Sequence, residues 1–295
     1  MSPRTLATLI GLTAILMWSA LGLLTATSGR VPAFQMTAMA FAISGLTATL
    51  WLAVTGRLAV LRQPWKVWAL GIGGLFGFHA FYFTSLRLAP PVEANLVNYL
   101  WPLLIVVFSG LLPGERLRPH HVIGALLGLL GAGAIVTRGR GLDIDPAHVL
   151  GYLAAVGSAV TWAGYSILSR RLGAVPTATV AGFCLATAAL SVPCHLAFEE
   201  TVWPDGPLQW AAVVGLGLFP VGLAFFVWDH GVKRGDIQVL GAASYLSPLV
   251  STLLLILAGW GTFSAPVGFA AVAITLGAMI ASKDLLLRRK TSAQP

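Results

Sequence analysis

Ten apolar stretches of bilayer-crossing length, separated by short loops, leave this chain very few ways to fold. They lie near 5–28, 31–55, 66–88, 92–112, 119–137, 147–169, 177–197, 209–231, 236–259 and 265–286. About twenty apolar residues wound as a helix cross a hydrocarbon core of about 30 Å, and in lipid only helices and closed barrels satisfy every backbone polar group. Charged residues make up 9% of the chain, against roughly 25% in a soluble domain, so no charged shell is available to disperse a soluble fold. The prediction is an all-α integral membrane protein of ten transmembrane helices. The stretch after Arg4 begins like a signal peptide, but its length of about twenty residues exceeds that of an h-region, and it is read as the first span.

Ten spans put both termini on one side, and the alternation of sides sorts the 18 Lys and Arg residues. One side takes Arg4, Arg57, Arg62, Lys66, Arg116, Arg118, Arg170, Arg171, Lys233, Arg234, Lys283, Arg288, Arg289 and Lys290; the other takes only Arg30, Arg87, Arg138 and Arg140. By the positive-inside rule the richer side is cytoplasmic. That places a multi-pass protein in the bacterial inner (plasma) membrane with both termini inside. The basic clusters, and with them the net charge of +8, sit at the level of anionic headgroups, so membrane lipids are the expected partners and nucleic acid is not. The tail 289–295 reads as a cytoplasmic surface anchor.

Cys184 and Cys194 fall on one predicted helix about 15 Å apart by helical rise, too far for a disulfide. His120 and His121 lie in a short basic loop, and no Cys/His cluster has metal-ligand spacing, so no metal and no other cofactor is expected. Without a Walker A run or a soluble ATPase domain, ATP drive within the chain is excluded and no ATPase subunit is implied.

The halves repeat. Adding 144 carries Trp18 to Trp162, Gly71 to Gly215, Gly73 to Gly217 and Phe81 to Phe225. Adding 146 carries Tyr99-Leu100-Trp101-Pro102-Leu103 onto Tyr245-Leu246-Ser247-Pro248-Leu249, and Gly131-Ala132 onto Gly277-Ala278. A two-residue indel near Pro90 reconciles the offsets. Residues 1–140 and 147–288 are therefore predicted to be two five-helix repeats. Five is odd, so the second repeat enters the membrane inverted, related to the first by a pseudo-two-fold axis in the membrane plane that brings Tyr99 onto Tyr245 and Trp18 onto Trp162.

Five plus five helices, the paired Tyr-Leu-x-Pro-Leu segments and the Trp-Ala-Gly-Tyr-Ser run at 162–166 resemble the drug/metabolite transporter superfamily in its EamA-like branch. The dense aromatic set further resembles the YddG type, bacterial exporters of aromatic amino acids. The resemblance covers nearly the whole chain and implies a central cavity lined by both repeats. It also implies alternating-access export of a small-molecule substrate, aromatic and other neutral amino acids first. A broad drug or cation exporter of the same superfamily is the alternative. An intramembrane enzyme is the reading of another class, but the sequence holds no Gly-x-Ser-x-Gly, His-Glu-x-x-His or intramembrane Asp pair to serve it. No Lys or Arg lies near the centre of a span, which disfavours phosphorylated cargo. Glu93 and Asp229 lie toward span ends, and His79 is the one central group that titrates near neutrality.

Polar side chains deep in a membrane helix turn toward the protein interior or a wet cavity. At helical spacing the third span stacks Leu75, His79, Tyr82 and Leu86; the fourth aligns Asn95, Tyr99 and Pro102 beside Asn98 and Trp101. The sixth stacks Ser158, Trp162, Tyr165 and Ser169, the ninth Gln238, Tyr245 and Thr252, the first Ala14, Trp18, Leu21 and Thr25. The candidate substrate-binding residues are therefore His79, Tyr82, Asn95, Asn98, Tyr99, Trp101, Trp162, Tyr165, Trp18 and Tyr245; no catalytic residue is assigned. Pro102 and Pro248 are candidate kink or gating positions. Trp51, Trp65, Trp68, Trp203, Trp210 and Trp260, near span ends, are read as an interfacial belt, and Gly73 with Gly77 and Gly124 with Gly128 as close-packing pairs.

Overall fold

The computed structural model describes residues 1–141 and 145–283; the tail at 289–295 and the last residues assigned to the second repeat lie outside them. The described residues form ten helical segments. These are α1 (Pro3–Thr27), α2 (Ala33–Val54), α3 (Trp65–Leu88), α4 (Pro91–Ser109), α5 (Pro119–Val136), α6 (Val149–Arg171), α7 (Thr177–Phe198), α8 (Pro207–Arg234), α9 (Ile237–Leu257) and α10 (Ala265–Ala281). Eight are long and apolar enough to cross a bilayer. Of the other two, α10 has 17 residues and α6 has 23 but is less apolar. The reason in α6 is local: it buries Ser158, Ser166 and Ser169 beside Trp162 and Tyr165, giving its inner face to polar groups.

Two helices break ahead of a proline. Segments Pro91–Asn98 and Leu100–Ser109 of α4 meet at Tyr99, with ψ near 3°, and segments Ile237–Ala243 and Leu246–Leu257 of α9 meet at Ser244 and Tyr245. Pro102 and Pro248 follow three residues on. Proline has no N–H for the carbonyl four residues back and its ring crowds that carbonyl, so the helix loosens just there. A third irregularity is a π turn, Phe219–Leu223 in α8, which contains Pro220 and Gly222.

Helix packing follows one pattern. Neighbouring pairs are α1 with α8, α3 with α6, α2 with α7, α4 with α9 and α5 with α10, together with α4 against α6 and α1 against α9. Exchanging each helix for the one five places along maps this set onto itself. It is broken where α9 also packs against α5, with no comparable approach of α4 to α10, and where α8 packs against α6, with no comparable approach of α3 to α1.

Small residues permit the closest approaches. A Cβ on Gly124 would strike the Gly277 carbonyl, and one on Gly128 would strike the Tyr245 ring, as close-packing sites must. In α3 the contact positions are Gly71, against Phe183, and Gly74, against Tyr165; a Cβ on Gly73 would meet nothing within 4 Å and one on Gly77 only Thr161 at 3.6 Å. This corrects the pairing of Gly73 with Gly77. The run Gly71-Ile72-Gly73-Gly74 puts glycine on several faces, and the face turned to α6 and α7 is the one that packs.

The belt tryptophans Trp51, Trp65, Trp203, Trp210 and Trp260 are exposed. Trp68 is not among them: its ring lies edge-on to Phe183 at 5.6 Å, inside the α3 and α7 contact. Both cysteines are free.

Candidate functional site

Four indoles from four helices meet at the centre of the bundle: Trp18 (α1), Trp101 (α4), Trp162 (α6) and Trp228 (α8). Trp18 lies 5.0 Å from Trp228, 5.7 Å from Trp162 and 6.2 Å from Trp101, centroid to centroid, and Trp162 stacks on Trp228 at 6.2 Å. Phe225 and Phe78 pack against Trp162 at 5.7 and 5.6 Å, and Tyr165 at 5.3 Å. Each good ring pair adds about 0.5–1.5 kcal/mol beyond area burial, so the cluster is a firm floor. Two of its four N–H edges are paired: the Trp18 Nε1–H donates to the Pro220 carbonyl at 3.0 Å, which the π turn presents, and the Trp228 Nε1–H donates to Ser166 Oγ at 3.1 Å. Trp228 is fully buried and Trp162 is 3% exposed.

A polar set adjoins this floor through Phe78, which packs on His79, Tyr82 and Trp162. His79 Nδ1 lies 2.7 Å from the Leu75 carbonyl; a carbonyl only accepts, so Nδ1 carries the proton and Nε2 is left as an acceptor in the neutral ring. The Tyr82 hydroxyl donates to Asn95 Oδ1, joining α3 to α4. Ser158 Oγ donates to Asn98 Oδ1 at 2.6 Å, joining α6 to α4. His79 is flanked by the rings of Phe41 and Phe78, each at 5.1 Å, so it points between helices. Yet His79, Tyr82, Asn95, Tyr99 and Trp18 are only half-buried, whereas Trp162, Tyr165, Trp101 and Asn98 are buried. Burial therefore deepens from the level of His79 and Tyr99 to the indoles.

Nine of the ten candidate residues thus fall in one neighbourhood of side chains around the indoles. Tyr245 is placed apart: fully buried in a second core cluster with Val106 and Leu249, it rests on Gly128, and its hydroxyl donates to the Tyr99 carbonyl at 3.0 Å. Among the described residues no three His, Cys, Asp or Glu side chains gather as a metal would require.

The other side of the floor is closed by charge. Arg4 of α1 pairs with Glu115, in the α4–α5 loop, at 3.1 Å and with Asp236, at the start of α9, at 3.1 Å; Arg170 of α6 also pairs with Glu115. Arg170 further donates to the carbonyls of Val232 and Gly235 at 2.7 and 2.9 Å. Beside this lattice Lys233 pairs with Asp229 at 2.9 Å. All these groups lie at the helix ends of the lysine- and arginine-rich face. At the opposite helix ends Arg87 donates to the Phe198 carbonyl at 3.0 Å and the Glu199 carboxylate caps the backbone N–H groups of Phe34 and Gln35, ties that run among α2, α3 and α7.

The sequence did not single out Trp228, Phe225, Phe41 or Phe78 as part of the site. A signal for Trp228 was available: it follows Phe225 by three residues, one helical turn along the stripe the repeat had already marked through Phe81. The lattice had no such signal, because its partners lie 55 to 232 positions apart.

An apolar-surfaced bundle of membrane-crossing helices, with aromatic rings packed at its centre and helix ends tied by ion pairs on both faces, Arg4 and Arg170 with Glu115 on one and Arg87 with Glu199 on the other, is the build of a membrane transporter. The chain belongs to the EamA-like transporter family, which it matches twice, over residues 5–137 and 149–283. It is 57% identical over 291 residues, 97% of this chain and 99% of the relative, to the aromatic amino acid exporter YddG of Ancylobacter novellus. It is 28% identical over 278 residues to the aromatic amino acid exporter YddG of Escherichia coli, covering 90% of this chain and 92% of that one. A solved crystal structure of a protein 56% identical in sequence superposes with a TM-score of 0.90, over 96% of this chain and 98% of its own.

Proposed function

We propose that this protein exports aromatic amino acids, with other neutral amino acids as lesser cargo, across the bacterial inner membrane by alternating access, and that it performs no chemistry on them. The observation that carries the reading is the four-indole floor beneath a half-exposed rim of neutral polar groups. An aromatic side chain finds a π-rich surface in Trp18, Trp101 and Trp162, while its ammonium and carboxylate find acceptors and donors in His79, Tyr82, Asn95, Asn98 and Tyr99. Stacking at about 0.5–1.5 kcal/mol per pair and hydrogen bonds to charged groups at about 1.5–3 kcal/mol each give weak binding, which suits a carrier that must release its load. The names of the relatives aligned over nearly the whole chain support the same cargo.

In this reading the ten helices form two inverted repeats, 1–140 and 147–288, both termini are cytoplasmic, and the ion-paired face is the inner one. Support comes from the double family match, from the packing pattern that reproduces itself on exchange of the two halves, and from Trp18 and Trp162, which touch at 5.7 Å as equivalents near a two-fold axis do. The extra approach of α9 to α5 and the burial of Tyr245, beside a half-exposed Tyr99, break that symmetry in the sense of a cavity open outward and latched inward. Rocking then pivots on the breaks at Tyr99 and Tyr245, with Pro102 and Pro248 as hinges and Tyr245 positioning the Tyr99 turn rather than touching cargo. Replacing His79 or Tyr99 by Ala tests the site: flux of Phe and Trp in proteoliposomes should fall severalfold with membrane insertion unchanged. Normal flux in both variants would remove these residues from the site.

A further inference from the structure

The ion pair between Asp229 and Lys233 lies within one helix, since both residues belong to α8, one turn apart, at 2.9 Å; the ties to the start of α7 are made by neutral groups, the Thr177 hydroxyl and the Val175 carbonyl. Their side chains are 2% and 6% exposed, and charges so far out of water are kept at a cost in desolvation. Asp229 stands five residues before the end of α8, about 7.5 Å by helical rise, so the pair lies between the inner face and the indole floor. Trp228, the next residue, is part of that floor. The Thr177 hydroxyl donates to Asp229 Oδ2 at 2.6 Å and Lys233 Nζ donates to the Val175 carbonyl at 2.9 Å, which holds the two charges side by side.

Two independent observations point to a ligand here. The Tyr165 hydroxyl, on a residue 3% exposed, is buried with no hydrogen bond of ordinary geometry; Ser169 and the Asp229 carboxylate are polar groups near it, and its ring abuts Trp162. The repeat is also unequal at this level. Under the offset of 144 that relates α3 to α8, Asp229 corresponds to Ser85 and Lys233 to Ala89. The charges are present only in the repeat unit that faces the side from which an exporter takes its load.

We propose that Asp229 and Lys233 form the loading subsite for zwitterionic cargo: in the inward-open state the pair parts, Asp229 takes the ammonium and Lys233 the carboxylate, and the aromatic ring enters against Trp228. Resting on the amino-acid exporter reading, this names the groups that recognise the cargo at the inner mouth. The internal pair is a stand-in for the zwitterion. While the site is empty each charge neutralises the other, and when cargo arrives both are re-paired, so no buried charge is left alone at any stage. A ligand with only one of the two charges strands the other and is rejected.

Sided uptake into proteoliposomes tests this with phenylalanine, phenethylamine, which lacks the carboxylate, and 3-phenylpropionate, which lacks the ammonium. In the wild type, uptake from the inner face should favour phenylalanine at least tenfold over either analogue. The double variant D229N/K233Q removes both charges and so leaves no stranded partner. It should melt like the wild type yet lose phenylalanine loading from the inner face at least tenfold. In the single variants the preference should split, D229N admitting 3-phenylpropionate relative to phenethylamine and K233Q the reverse. Wild-type rates in D229N/K233Q, or wild-type uptake of phenethylamine equal to that of phenylalanine, would overturn the proposal. A wild type that moves no aromatic amino acid from either face would instead overturn the exporter reading itself.

Discussion

Glu115→Gln isolates the charge lattice that closes the basic face. The Glu115 side chain is 7% exposed and receives Arg170, at 16%, and Arg4, at 41%. Gln keeps the shape and one acceptor oxygen but loses the charge, and a hydrogen bond to a charged group is worth about 1.5–3 kcal/mol against about 0.5–1.5 for a neutral one. The Arg4 share is discounted because that side chain is largely in water, while Arg170 keeps the Val232 and Gly235 carbonyls. The net loss to the closed lattice is about 1–2 kcal/mol, and it acts on the closed state alone because opening separates these helix ends anyway. At about 1.4 kcal/mol per tenfold, the inward-open population should rise by about 5- to 30-fold. A reporter is available in Ser169, buried on α6 next to Arg170. With Cys184 and Cys194 replaced by Ala, Ser169→Cys in inside-out vesicles should react with an impermeant maleimide about 5- to 30-fold faster when Glu115→Gln is added. An unchanged or slower rate would refute the assignment of this lattice as the inner gate.

Other consequences follow from packing and topology. Gly128→Ala drives a methyl into the fully buried Tyr245 ring and should lower stability by about 1–3 kcal/mol, read as a drop in melting temperature, while Gly73→Ala meets open space and should be neutral or slightly stabilising. Ser158→Ala leaves the buried Asn98 Oδ1 without its donor, which costs about 1–3 kcal/mol; a thermal-shift comparison with Ser158→Thr, which restores the hydroxyl, separates that loss from crowding. Single cysteines in the loop 199–205 should react with impermeant reagent in intact cells, since that loop lies opposite the basic face; reaction only after permeabilisation would invert the orientation.

Much of this architecture was legible in the chain because membrane helices obey few rules. The helix positions follow from apolar length, the breaks at Tyr99 and Tyr245 from prolines three residues on, and the meeting of α4 with α6 from two stripes, Asn98 with Trp101 and Ser158 with Trp162, that face each other in the structure. What was hidden depends on tertiary choice. Four residues of the Gly71–Gly74 run offer several packing faces, and periodicity alone picked the wrong one. Asp229 and Trp228 stand near the end of α8, where such residues usually meet headgroups, and only the approach of α1 and α6 buries them. Tyr245 shares its motif with Tyr99, but α5 closes over one and leaves the other half-open, an asymmetry between copies that a repeat in the sequence cannot carry.

The central claim is tested most directly by unidirectional flux from proteoliposomes holding the purified protein and no other, loaded with labelled Phe, Trp, a neutral aliphatic amino acid and a cationic drug in turn. The account predicts saturable, mutually competitive efflux of Phe and Trp, recovered chemically unchanged, above the aliphatic amino acid and well above the drug. Efflux of the drug without the aromatic amino acids, or recovery of a modified product, would contradict it.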